Sequence, residues 1–305
     1  MLAARLAGVP VRIYHMHGLP FITATGLTRR ILMTTEAVSC RIASQVLCVS
    51  PSVRSMAVDL RLSSPGKIHV PLQGSCNGID AETVFNPDRF TVSERGETRR
   101  RYGIPPDAIV VGFIGRLARA KGLVELSAAW HMLKKEHPNL HLLLIGPEEP
   151  GDPPPAGLLD QLCADARVIF VGENCQTRPL YMAMDILVLP THREGFPIVL
   201  LEAAAMERAI VATRVTGCVD AVQDGLTGTL VEPYNPEALA TGILTYVRSP
   251  ALRERHGRAA RVRVLQDFSD KAMRTAIYRV YMEGLAGPNW ASSQSEKALN
   301  IRPSS

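Results

Sequence analysis

Two segments of this 305-residue chain carry residue types that can hold an anion: Gly115-Arg116 with Lys121-Gly122, and Glu194-Gly195-Phe196-Pro197 with Glu202 farther on. The first follows the apolar run 109–114, so Arg116 and Lys121 fall where a strand hands over to a helix and free backbone N–H groups meet phosphate. Arginine brings a planar fork and lysine a mobile point charge, a pairing suited to a diphosphate and to the charge that grows on it as it leaves. Pro197 stands where a first helical residue is expected, ahead of the apolar run 198–201, which aims a second helix N-terminus at the same place. An Arg-x4-Lys spacing alone describes a solvated surface pair, but the strand-end position and Gly115 favour phosphate contact. Arg119 reads as a bystander.

Glu194 and Glu202 are too far apart to act as a paired dyad. On one continuous helix they would stand about 12 Å apart along the axis and about 80° around it. A glycosidase needs its carboxyl groups within roughly 5 to 9.5 Å, so these two suit different parts of one extended ligand. The alternative is an exposed helical Glu202 and a Glu194 that only complements a helix dipole. His17 follows the apolar run 11–14 and precedes Gly18, which puts it on a strand-end loop where it can position donor or acceptor. His15 and His17 share a face but have no nearby carboxylate, a poor metal site. Val171-Gly172, at another strand end, borders a nucleotide base or is a simple turn. There is no Asp-x-Asp pair, no G-x-x-x-x-G-K-[ST] loop and no G-x-G-x-x-G fingerprint. No resident metal or cofactor is therefore expected, and the diphosphate charge falls to Arg116, Lys121 and helix-end amides.

The elements that must position these residues follow an α/β pattern, in which strand-length apolar runs alternate with amphipathic helical stretches. Strands are expected at 11–14, 45–49, 67–70, 109–114, 140–145, 167–171, 186–189 and 210–212. Helices are expected at 27–44, 122–136, 156–165, 197–207 and 252–266. Residues 77–106 lack periodicity and carry Asn77-Gly78, Asn86-Pro87 and Pro105-Pro106, the turn chemistry of a linker. The expected division is a first domain with its linker at 1–105, a second at 106–268, a returning helix at 269–287 and a disordered tail at 288–305. Residues 2–7 look like the end of a helix capped by Gly8. A first domain of this length lacks the opening strands of a doubly wound unit, so an N-terminally incomplete chain is expected.

Composition narrows the classes. With 46% hydrophobic residues the chain can bury one large core or two modest ones. The six cysteines form no C-x-x-C pair, which argues against structural zinc or a disulfide framework and fits the reducing cytoplasm. No apolar run reaches the roughly 18 residues of a membrane span. Residues 1–105 hold 13 basic and 7 acidic side chains and residues 106–305 hold 21 and 22, so the positive balance sits in the first part. That part is either a solvated basic face or meets an anionic membrane surface or a phosphorylated acceptor. Nucleic acid is not an expected partner, because no aromatic-interleaved basic stretch is present.

The sequence resembles the retaining glycosyltransferases of family 4, also called glycosyl transferases group 1. The resemblance lies in Phe113-Ile114-Gly115-Arg116-Leu117 with Lys121-Gly122, in 185–190, in Glu194-Gly195-Phe196-Pro197 through Leu201-Glu202-Ala203, and in Asp224-Gly225-x-Thr227-Gly228. It implies a GT-B fold, two Rossmann-like domains with parallel sheets facing a cleft, the first incomplete here. It also implies transfer of a sugar, with retention, from a nucleotide diphosphate sugar (a UDP-sugar is the expected donor) to a sugar or lipid-linked sugar hydroxyl. Arg116 and Lys121 would then hold the diphosphate. Glu194 and the amides of Gly195, Phe196, Ile198 and Val199 would surround sugar or phosphate, with Pro197 offering no amide and Glu202 on the ribose. His17 would lie near the reacting centre, and the last helix would cross back to the first domain. The subgroup it resembles builds surface polysaccharide or lipid-linked glycans, which implies a cytoplasmic protein or one peripheral on the inner face of the plasma membrane. A sugar-nucleotide epimerase of the same fold and a non-catalytic nucleotide-sugar binder are the alternatives. The chain departs from the family at Glu207, where glycine is usual, and in the absent opening strands.

Overall fold

The computed structural model describes residues 1–174 and 176–286. Its architecture is α/β with parallel sheets. The first sheet joins β1 (Ile13–Met16), β2 (Gln45–Cys48) and β3 (Ile68–His69), in that order. Met16, Val46 and Ile68 from its strands bury against Phe21, Cys40 of the helix Gly26–Ile42, and Val53 of the helix Pro51–Asp59.

The second sheet has six strands: β4 (Ile109–Ile114), β5 (Leu140–Ile145), β6 (Val168–Gly172), β7 (Ile186–Leu189), β8 (Ala209–Thr213) and β9 (Thr229–Val231). Every residue of β5, β7 and β8 is buried, as a parallel sheet covered on both faces requires. The spatial order is β6-β5-β4-β7-β8-β9. The chain therefore runs outward in one direction from β4 and then restarts at β7 on the other side. The crevice beyond the carboxyl ends of β4 and β7 is the switch point at which open α/β sheets bind ligands. This order brings two segments distant in sequence, 115–122 and 190–197, side by side.

β4, β5 and β7 begin and end where the sequence predicts, and the other expected strands shift by one or two residues at their ends. Residues 77–106, expected from their turn chemistry and lack of periodicity to be a linker, contain a helix at Val92–Arg101. Its apolar pattern is absent because polar contacts hold it. Thr91 and Glu94 form a reciprocal capping box. Arg99, buried, donates to Asp185 at 2.9 Å and to the carbonyls of Ala183 and Ala108, and Arg95 reaches the other Asp185 oxygen at 2.8 Å. Pro197 is the residue before the helix Ile198–Ala205, with ψ of 104°, and not its first helical residue. After that helix Glu207 takes a left-handed φ of 58°, the conformation that makes glycine usual there. The opening helix is Leu2–Leu6, followed by Gly8 at φ 71°. The tail 288–305 lies outside the described residues. None of the described helices is long and apolar enough to cross a membrane.

Several contacts join the two halves. The last helix, Asp270–Ala286, returns to the first sheet, where Tyr281 Oη lies 2.7 Å from His15 Nε2. Ile79 N–H donates to Phe268 O at 2.8 Å, pinning the linker to the start of that return. At the start of Pro51–Asp59, the Asp220 carboxylate of the second half accepts the Ser52 N–H at 3.2 Å and the Ser52 hydroxyl, which in turn accepts Gly217 N–H at 2.8 Å. Asp220 thus caps, from the second half of the chain, a helix that packs beside the first sheet. We expect Asp220→Ala to cost about 1 kcal/mol, the usual value of a lost cap. Urea denaturation checks this, and an unchanged midpoint would show that the clasp contributes nothing.

Candidate functional site

A cavity of about 600 Å³ opens between the first sheet and the switch point of the second. One wall comes from β1 and the residues after it: Tyr14, His15, His17, Gly18, Leu19 and Pro20, with Glu36 from Gly26–Ile42. The other comes from the segments after β4, β5 and β7, carrying Arg116 and Lys121, Glu149 and Asp152, and Arg193, Glu194 and Gly195.

The segment after β4 leaves the strand through Gly115, makes a 3-10 turn at Arg119–Lys121, and enters the helix Leu123–Leu133 through Gly122. Gly122 has φ of 76°, and a Cβ there would stand 2.0 Å from Pro190 O, so only glycine lets the two segments touch. Thr191 Oγ donates to Ala120 O at 3.2 Å, His192 N–H donates to the same carbonyl at 2.8 Å, and Thr216 Oγ fixes Glu194 O at 2.9 Å. The backbone that presents Lys121 and Glu194 is therefore one rigid unit.

Two of the three cations on the cavity are paired. Lys121 Nζ is bonded to the Glu194 carboxylate and Arg116 to Glu149. Arg116 and the Gly151 amide hold the Glu149 carboxyl below its ordinary value. Arg193 has no carboxylate partner among the described residues, and its Nε is buried without a hydrogen bond. On the opposite wall the Tyr14 hydroxyl donates to Glu36 at 2.7 Å; burial first, then that bond, raises the phenol pKa. The His15 and His17 rings stack with centroids 5.9 Å apart. Burial and the neighbouring His17 lower the His15 pKa.

Of the residues singled out from sequence, Arg116, Lys121, Glu194, Gly195 and His17 meet on this cavity, and Gly115 directly precedes Arg116. Val171, Gly172, Phe196, Pro197, Ile198, Val199 and Glu202 are not part of its lining. Glu202 accepts the buried Tyr181 hydroxyl at 2.7 Å. Burial lifts the Glu202 carboxyl above its ordinary range and the bond from Tyr181 works against that shift. Glu149, Asp152, Arg193, Tyr14 and Glu36 were missed. Gly146-Pro147-Glu148-Glu149 directly follows β5, so the strand-end rule that picked out Arg116 after β4 also points to it.

Two parallel sheets meeting at a cleft, with glycine-bearing strand-end loops at the switch point, define a GT-B fold. The chain belongs to the glycosyl transferases group 1 family, whose model matches residues 94–263. Among similar proteins are the capsular polysaccharide biosynthesis glycosyltransferase CapM of Staphylococcus aureus, 29% identical over 92% of this chain and 72% of that protein, and a D-inositol 3-phosphate glycosyltransferase of Corynebacterium glutamicum, 32% identical over 70% of this chain. The chain spans 51% of the latter's length. HepE of Anabaena, solved with UDP and glucose, superposes with a TM-score of 0.77 at 21% identity, covering 92% of this chain and 74% of HepE.

Proposed function

We propose that the chain moves a sugar from a nucleoside diphosphate sugar, with a UDP-sugar as the foremost candidate, to an acceptor hydroxyl. One observation carries this: Arg116, Lys121, Arg193, Glu194 and His17 share a single cavity at the point where strand order reverses. Lys121 and Arg116 would take the charge of the departing diphosphate. Glu194 and the amides of Gly195, Phe196, Ile198 and Val199 would hold sugar or phosphate at the start of Ile198–Ala205, where helical amides lack intrahelical partners. Glu202 would meet the ribose and Val171-Gly172 the base. His17 and the Tyr14–Glu36 pair face the cavity from the first half, where an acceptor hydroxyl would enter. The reading includes retention, a hexosyl donor, family 4 membership, and no resident metal or cofactor.

The name of CapM supports a role in surface polysaccharide or lipid-linked glycan synthesis. A cytoplasmic protein peripheral on an anionic membrane fits the helix Gly26–Ile42, which exposes Leu27 and Ile31 beside Arg29 and Arg30. The test is incubation with a panel of sugar nucleotides, with and without glycan acceptors, measuring released nucleotide. Release from one donor, increased by an acceptor, is expected. Interconversion of the donor sugar without transfer would indicate the epimerase, and binding without turnover the non-catalytic binder.

A further inference from the structure

The cavity's charged lining is three cations, Arg116, Lys121 and Arg193, against four carboxylates, Glu36, Glu149, Asp152 and Glu194. A diphosphate gains nothing from that net charge, and two of the cations already hold carboxylates. Glu149 is delivered to Arg116 by a stiff backbone. Its loop, residues 146–155, contains Pro147, Pro150, Pro153, Pro154 and Pro155, each with φ fixed by its ring. The loop lies along the segment after β4: Leu117 N–H donates to Pro147 O at 2.7 Å and Arg119 N–H to Asp152 O at 2.9 Å. A Cβ on Gly146 would stand 2.0 Å from Gly115 O, so the approach admits no side chain. The Asp152 carboxylate takes the Ala120 N–H at 2.8 Å, while Glu149 takes the Gly151 N–H at 3.2 Å as well as the guanidinium. One loop thus places carboxylates on a guanidinium and on a turn amide, the two kinds of donor that a phosphate uses.

We propose that Glu149 is an internal stand-in for the ligand's diphosphate on Arg116, displaced when a nucleoside diphosphate or its sugar ester binds, and that Arg193 supplies the standing positive charge that draws the ligand in. This rests on the nucleotide-sugar reading above. Free nucleoside diphosphate carries more negative charge at neutral pH than its sugar ester, so Glu149 opposes the product more strongly than the donor. The return of Glu149 to Arg116 then favours product release. Because the Glu149 carboxyl is held below its ordinary value, its own titration does not alter the competition between about pH 6 and 8.

The test is calorimetric titration of the whole chain with UDP, GDP and ADP and their glucose esters, comparing wild type, Glu149→Gln, Arg193→Gln, Arg116→Ala and the Glu149→Gln/Arg116→Ala double variant. Glu149→Gln is expected to lower the Kd for the accepted nucleoside diphosphate about five- to tenfold, as removal of one nearby charge in a half-exposed site does. The gain should be smaller for the glucose ester and absent in the Arg116→Ala background, and Arg193→Gln should raise the Kd. Equal affinity of wild type and Glu149→Gln overturns the proposal, as does a gain that persists without Arg116 or an Arg193→Gln protein with wild-type affinity. Binding of no nucleotide by any of the proteins defeats the nucleotide-sugar reading itself, and the proposal with it. Glu149 lies on a surface loop, and unchanged circular-dichroism melting verifies that its variants are folded.

Discussion

Lys121→Ala is expected to reduce nucleotide-releasing turnover about 10²- to 10³-fold, the cost of losing one preorganised donor to a developing oxyanion. The loss has two parts with the same sign. The leaving diphosphate loses the ammonium that would neutralise it, and Glu194, whose side chain is only 13% exposed, is left without its cationic partner beside the entering anion. Substrate binding weakens for the second reason and the chemical step slows for the first, so both kcat and the nucleotide Kd should move. Arg116→Ala should cost less, because that side chain is 61% exposed against 21% for Lys121 and is more strongly screened by solvent. Single-turnover measurements with a saturating sugar nucleotide separate the two parts. A Lys121→Ala protein with wild-type turnover would remove this residue from the chemistry and leave its bond to Glu194 a structural contact.

How much of this was legible in the sequence depends on the force that builds each element. β4, β5 and β7 are almost wholly buried, so they read as mostly apolar runs broken only by Gly112 and His141, and their limits could be read directly. The helix Val92–Arg101 is held by a capping box and by Arg95 and Arg99 on Asp185, contacts that leave no apolar period. The helix Pro236–Arg248 carries Asn235 at its cap and Pro236 at its first position, signals that were present but passed over. In the site, Arg116, Lys121 and Glu194 were visible because each follows a strand. Their meeting depends on β7 pairing with β4 and not with β6, and strand order is a property of the folded sheet. Glu149 had the same local signature after β5. Its partnership with Arg116 arises only because β5 is the other neighbour of β4.

The approach of the two halves at Gly195 was the least legible feature, and it carries the second large expectation. A Cβ built on Gly195 would lie 1.7 Å from His17 O and 3.1 Å from Gly18 N, both backbone atoms of the opposite wall. Gly195 is not in the left-handed region, so alanine suits its own backbone and the conflict lies across the cleft. Backbone cannot swing aside as a flexible side chain can, so Gly195→Ala must move the first half away from the second. Displacing reacting groups by about 1 Å costs on the order of 10²-fold in rate, and the wider cleft also admits water. Gly195→Ala should therefore lose about that factor in transfer to an acceptor while retaining most of its affinity for nucleotide, which on the proposed reading would contact mainly the second half. The helix Ile198–Ala205 and the strand core behind it bury their apolar faces without contributions from Gly195, so the melting temperature should change little. Transfer rate, nucleotide Kd and thermal melting together decide the point. Wild-type transfer by Gly195→Ala would mean that the reacting groups do not need this close approach, whereas a collapse in melting temperature would place the glycine's role in folding.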